Sequence, residues 1–324
     1  MAVWLVHLKR GGRSRRKPVF SFLGDELLRT RIYIDGYNLY YGCLKGTSLK
    51  WLDPLALFQN HILPSVTATV NGQQVVSSLR QVAIKFFTAP ILEQAAKAPD
   101  SIQCQEQYHS ALNKHTPGRI ETIKGYYSLT EARAKVIDSA DPKKWPRDCV
   151  ATEIWKLEEK QSDVNIALHA LKDALLGGIE HVVIVTNDTD IAPALEMIRS
   201  CSQVVVGLVI PTTDHQRVPN TELANHAHWV RTHITESELK ASQFPRVIQG
   251  RRPAVKPDSW FARPDLLKRA LELGEAELGS RNKVFQWLGK SNPHYGGQTP
   301  LDLLETNDGE KVIQFMEKWA TDKP

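Results

Sequence analysis

The chain has 324 residues, 42% hydrophobic and 24% charged. No apolar run reaches the about eighteen residues of a membrane-spanning helix, and the hydrophobic share exceeds that of a disordered chain, so a helical membrane span and a wholly unfolded protein are excluded. The net charge of +5 is unevenly placed: residues 1–31 hold eight Lys or Arg against Asp25 and Glu26, while the other 293 carry 33 basic and 34 acidic side chains.

Residues 1–30 read as a basic N-terminal extension of flexible character. Such an arm either adds affinity for phosphate backbones through counterion release or is only solvated. Its short apolar run, Val3 to Leu8, precedes the basic cluster, the reverse of a secretion signal, so a cytoplasmic location is expected. Cys43, Cys104, Cys149 and Cys201 show no CxxC or Cys/His spacing, which argues against both a zinc site and a disulfide framework.

From Arg31 to about residue 245, short β-branched runs alternate with helical segments, the pattern of a parallel sheet with crossover helices. Strands are predicted at Arg31 to Asp35, Leu79 to Thr88, His181 to Thr186 and Gln203 to Ile210. The run from His181 to Thr186 is apolar at both alternations, as a central strand covered on two faces requires. Val164, Leu168, Leu171 and Leu175 recur at helical spacing, and Gly177-Gly178 supplies the stop. The fold class read from this is α/β, a doubly wound parallel sheet with helices on both faces. Residues 120–150 are irregular and carry no clear period.

Residues 246–258, rich in Gly, Pro and Arg, read as a linker. Beyond them, residues 259–324 read as a small all-α domain: Pro264 opens a helix running to Leu278, Asn282 to Leu288 forms another, and Thr299-Pro300 caps a third. A last helix carries Val312, Phe315, Met316 and Trp319 on one face, a stripe that serves a core or a partner surface.

Three acidic motifs fall where open α/β sheets put their ligands, at the carboxyl ends of strands. They are Asp35-Gly36-Tyr37-Asn38, then Glu159-Lys160-Gln161-Ser162-Asp163, then Thr186-Asn187-Asp188-Thr189-Asp190. Gathered carboxylates repel and raise each other's pKa, a cost that a bound cation removes. Oxygen-only ligation suits Mg²⁺ or Mn²⁺, and a metal so held can activate water against a phosphodiester. Asn38 is placed to orient water or an Asp. Lys160 and Lys124 are candidate phosphate contacts, and Tyr37 is a candidate for base stacking. Each residue has a plainer role as well: Asp163 and Asp190 as helix caps, Asp35-Gly36 as a turn, the tyrosines as packing. No GxxxxGK phosphate loop, GxSxG elbow or HExxH helix occurs.

In this order and at these intervals, Asp-Gly-Tyr-Asn at 35–38, Asp-Val-Asn at 163–165 and Thr-Asn-Asp-Thr-Asp at 186–190 resemble the NYN domains, relatives of the PIN-domain nucleases. The resemblance implies a PIN-like fold over residues 31–245 and a Mg²⁺- or Mn²⁺-dependent RNA nuclease. Asp35, Asp163, Asp188 and Asp190 fall at the family's metal positions, and Asn38 at its first motif. Two departures stand out: His169 occupies a place where many such domains carry another Asp, and Asn187 replaces a Gly of the third motif.

The series Ser291-Asn292-Pro293, Gly296-Gly297, Thr299-Pro300-Leu301-Asp302-Leu303-Leu304 resembles the Xre/MbcA/ParS-type toxin-binding domain, which implies a protein-contact or self-association module in residues 259–324. The expected activity is therefore a metal-dependent ribonuclease with RNA as partner and no membrane. The alternative is a non-catalytic RNA- or protein-binding regulator of toxin-antitoxin or defence type.

Overall fold

The computed structural model describes residues 27–70, 73–213 and 217–321. Most of the expected N-terminal extension, residues 1–26, lies outside the described residues. Its last four residues open the first strand, β1 (Leu27–Asp35), where Arg29 pairs with Glu180 at 3.0 Å.

β1 is central because its second half, Ile32 to Asp35, is buried on both faces. It pairs in parallel with β3 (Gln73–Thr88) and with β7 (His181–Val185). The sheet extends on one side through β8 (Val205–Val209) to β9 (Trp229–Arg231), and on the other to β4 (Ile120–Lys124), all parallel. Only β2 (Ala68–Val70) runs antiparallel, against the start of β3. The four expected strands are present, and the order places the carboxyl ends of β1, β3 and β7 side by side.

Two cores confirm a sheet covered on both faces. Ile32, Ile34, Ile84, Val183 and Val185 pack against the helical segments of residues 54–65 and α1 (Ser101–His115). Tyr33, Phe87, Val182 and Ile184 pack against α2 (Ser162–Leu175) and α3 (Ala192–Cys201).

The buried face of α2 differs from the expected one. Val164, Leu168 and Leu175 are exposed, Leu171 is partly buried against the core, and Ile166, Ala170 and Ala174 meet the sheet. Small side chains let the helix lie close enough for Asp173 to reach the strands. There it receives hydrogen bonds from Lys85 (2.7 Å), Tyr33 (2.7 Å) and Arg31 (2.8 Å). Burial would raise the Asp173 carboxyl, but these donors outweigh it and hold it below the usual range. His169, one turn earlier, is half-buried: its Nδ1 lies 3.1 Å from Lys85 Nζ and its ring meets Phe87 edge-on.

The irregular stretch after residue 120 resolves into an antiparallel arm, β5 (Tyr126–Lys135) with β6 (Ala151–Lys160). The arm leaves the body with Trp145 and Trp155 exposed. Its return passes through Gln161, a left-handed residue at φ 77° that turns the chain into α2.

After residue 245 the chain is held down. β10 (Val247–Ile248) and β11 (Ala254–Val255) pair, and Val255 N donates to Gln107 Oε1 on α1. Trp260 then packs against Trp51 and Tyr108 of the first core. Four helices follow, α4 (Pro264–Leu278), α5 (Arg281–Leu288), α6 (Pro300–Leu304) and α7 (Glu310–Thr321), around a core of Leu267, Leu271, Val284, Leu288, Val312 and Met316. Thr299 caps α6, as the Thr-Pro pair requires. Phe315 and Trp319 stack on Trp287. No helix among the described residues is long and apolar enough to cross a membrane.

Candidate functional site

The carboxyl end of β1 is a tight corner. Asp35 caps a one-turn helix, accepting from Asn38 N at 2.9 Å, and Gly36 is required because a Cβ there would lie 2.6 Å from the Phe87 carbonyl oxygen. Asn38 Nδ2 and the Thr186 hydroxyl also donate to Asp35, at 2.6 and 3.0 Å. Burial pushes the Asp35 carboxyl above its usual range, these donors oppose the rise, and the charge of Asp188 adds to it.

Asp188 and Asp190 follow β7. It is Asp188, and not Asp190, that caps the next turn, accepting from Asp190 N at 3.0 Å. Asp163 is likewise no cap; it lies in the first turn of α2, where the helix dipole favours a negative charge. Burial, then Asp35, Asp188 and Asp190, raises Asp163 to about 6. The four aspartates thus share one electrostatic field at the sheet edge.

Glu159 belongs to the same group and was absent from the candidate residues. Burial, opposed by a hydrogen bond from Ser162 and reinforced by Asp35 and Asp163, raises it to about 7. Its charge also lifts the Tyr37 hydroxyl, after burial. The sequence carried Glu159 inside the second motif, but its place at the foot of an arm gave no periodic signal.

The basic candidates are elsewhere. Lys160 pairs with Glu158 on the arm at 3.0 Å, and Lys124 is exposed at the end of β4, where it disfavours the charged form of His109.

Oxygen-only donors suit Mg²⁺ or Mn²⁺ in chemistry. Among the described residues, however, no three His, Cys, Asp or Glu side chains converge to hold a metal ion. Asp35 also spends both oxygens on protein donors.

Beside this acidic edge opens a cavity of about 430 Å³. Its walls are aromatic and aliphatic: Tyr37, Tyr40 and Tyr41 from the corner, Phe86 from β3, Tyr108 and His109 from α1, Tyr127 and Leu157 from the arm, and Trp260 from the C-terminal side. Tyr37 stacks on Tyr41 at 5.7 Å and meets Tyr127 edge-on at 5.6 Å. Gln105 fixes one wall by accepting from Ile91 N and donating to the Ala89 carbonyl, both at 2.9 Å. Tyr37 therefore belongs to both regions, the carboxylates and the cavity.

The sequence pattern of the NYN domain family matches residues 29–230, the span that holds every one of these aspartates. The chain belongs to the NYN domain family. It is also 50% identical over 300 residues to 6-hydroxy-3-succinoylpyridine 3-monooxygenase HspA of Pseudomonas putida, covering 92% of this chain and 96% of that one. A crystal structure of a protein of unknown function from Vibrio parahaemolyticus shares 18% identity with a TM-score of 0.35, over 66% of this chain and 98% of its own.

Proposed function

We propose that this NYN protein is a monooxygenase acting on a hydroxylated pyridine with an acyl side chain, the substrate type in the name of its relative. The observation that carries this reading is the aromatic-walled cavity beside the acidic edge. Its volume of about 430 Å³ lies in the range of small-molecule sites, with room for one ring and a short chain. Monooxygenation places one atom of O₂ on the ring and reduces the other to water, so two electrons must come from an external donor such as a reduced nicotinamide.

The side chains supply orientation and proton handling. Tyr37, Tyr41 and Tyr127 offer faces and edges to a planar ring. Glu159, titrating near neutrality next to Tyr37, is matched to accept the proton of a ring hydroxyl, which makes the ring electron-rich. The test is oxygen uptake and loss of pyridine absorbance with 6-hydroxy-3-succinoylpyridine and reduced nicotinamide. One O₂ consumed per ring is expected. No turnover with any reduced nicotinamide or flavin donor would overturn the reading.

A second reading is favoured by the mutual repulsion of the carboxylates: a ribonuclease dependent on Mg²⁺ or Mn²⁺, as the family resemblance implies. Asp35, Asp163, Asp188, Asp190 and Asn38 would form its acidic edge, and Tyr37, Lys160 and Lys124 would meet RNA. Metal-dependent RNA cleavage lost in Asp188→Asn would establish it. In either case residues 259–324 are proposed as a protein-contact or self-association module, with Trp319 and Phe315 stacked on Trp287 as its aromatic patch.

A further inference from the structure

The cavity is not uniformly apolar. Lys50 and Lys97 both line it. Lys50 is half-buried, with its ammonium 6.0 Å from the centre of the Trp260 ring, and Lys97 stands exposed at the rim. Neither makes an ion pair or side-chain hydrogen bond with any described residue. The acid that shares the wall, Asp100, is already engaged, accepting from the Ser259 hydroxyl and from Cys104 Sγ at 3.3 Å. The charge of Lys50 helps to hold Asp100 below the usual range, after the Ser259 bond and the Cys104 bond, yet the two form no contact ion pair.

The half-buried Lys50 ammonium makes no contact ion pair with a described residue, an arrangement that an anionic ligand would complete. Tyr37, Tyr41 and Tyr127 line the same cavity and offer aromatic surface to a planar ring. We propose that Lys50 is the anchor for the carboxylate of an aromatic acid bound in this cavity, with Lys97 adding attraction at the rim and the tyrosines of the corner taking the ring. Trp260 lines the cavity with its ring 6.0 Å from the Lys50 ammonium, so the segment after residue 245 completes the site. The inference rests on the cavity being the substrate site of the proposed oxygenase and assigns that site its specificity: ring acids over neutral rings.

The test uses the full chain and two probes of one shape, 6-hydroxynicotinate and its neutral counterpart 6-hydroxynicotinamide. Binding is followed by calorimetry and by intrinsic tryptophan fluorescence. Charge-assisted hydrogen bonding predicts that the acid binds about tenfold more tightly than the amide. The preference should vanish in Lys50→Met, return in Lys50→Arg and shrink with added salt. Circular dichroism of each variant checks that it folds. Equal affinity for acid and amide, a preference unchanged in folded Lys50→Met, or no binding of either probe would overturn the proposal. Turnover separates this from the oxygenase reading. Acid-selective binding without oxygen uptake leaves the anchor standing and removes the oxygenase, whereas equal oxygenation of charged and neutral rings does the reverse.

Discussion

The Thr186 hydroxyl donates to the Asp35 carboxylate at 3.0 Å, joining the ends of two adjacent parallel strands across 151 residues of sequence. Asp35 is 3% exposed, so every donor it receives offsets the cost of burying its charge. Thr186→Val keeps the shape of the side chain and removes that donor. Urea unfolding at neutral pH should show a loss of about 1–3 kcal/mol; a loss near zero would mean that Asp35 is protonated in the native state.

Gly36→Ala should be costlier than its size suggests. The added methyl meets the Phe87 backbone carbonyl and not a flexible side-chain end, so β1 and β3 must separate where both reach the site. The expected cost is about 1–3 kcal/mol, with weakened ligand binding. Thermal unfolding and calorimetry on the same sample check both.

The raised acids make stability fall as pH rises. Glu159 and Asp163 titrate at about 7 and about 6 in the fold, against ordinary values of 4.5 and 3.8. Between those limits the folded state keeps protons that the unfolded chain has released, so its advantage is largest near pH 4 and is lost by about pH 7. Both groups are partly solvated, and about 1 kcal/mol each is expected after screening. Glu159→Gln should raise the melting temperature at pH 8 and leave it little changed at pH 5. Under the oxygenase reading, the same variant should lower turnover about a hundredfold, the scale of a lost general base.

His181 has the opposite sign. It is fully buried, accepts from Trp229 Nε1 at 3.1 Å through Nε2, and lies 3.0 Å from Thr30 Oγ1 through Nδ1. The Thr30 hydroxyl already donates to the Leu28 carbonyl, so the network assigns the ring proton to Nδ1. Burial lowers its pKa to about 3, so the unfolded chain takes up its proton first and stability drops as pH falls from about 6.5 towards 3. His181→Asn should be destabilised at pH 7 but show a shallower acid limb in melting temperature.

The faces of α2 can be tested by contrast. Leu168→Gln alters an exposed residue and should stay within about 0.5 kcal/mol of the parent. Ala170→Leu forces a larger side chain against the sheet and should cost about 1–3 kcal/mol. Paired chemical-denaturation curves decide between this face and the leucine face that helical spacing favours.

The sequence by itself determined what local rules govern. Two-sided apolar runs marked the central strands, Gly177 ended α2 in the left-handed region, Thr299-Pro300 opened α6, and the order of the three acidic motifs marked the family. These features depend on residues a few positions apart, so their pattern survives in one dimension. The tertiary structure decided the rest. Small alanines on α2 face the sheet where Asp173 reaches three donors on two strands, a condition that no helical period records. Glu159 joined the carboxylates because the arm returns through Gln161 beside Asp35. The cavity gathers Tyr37, Lys50, Tyr108, Tyr127 and Trp260 from segments more than two hundred residues apart. Their juxtaposition is set by sheet order and by the packing of Trp260 on Trp51, long-range contacts whose partners carry no shared sequence signal.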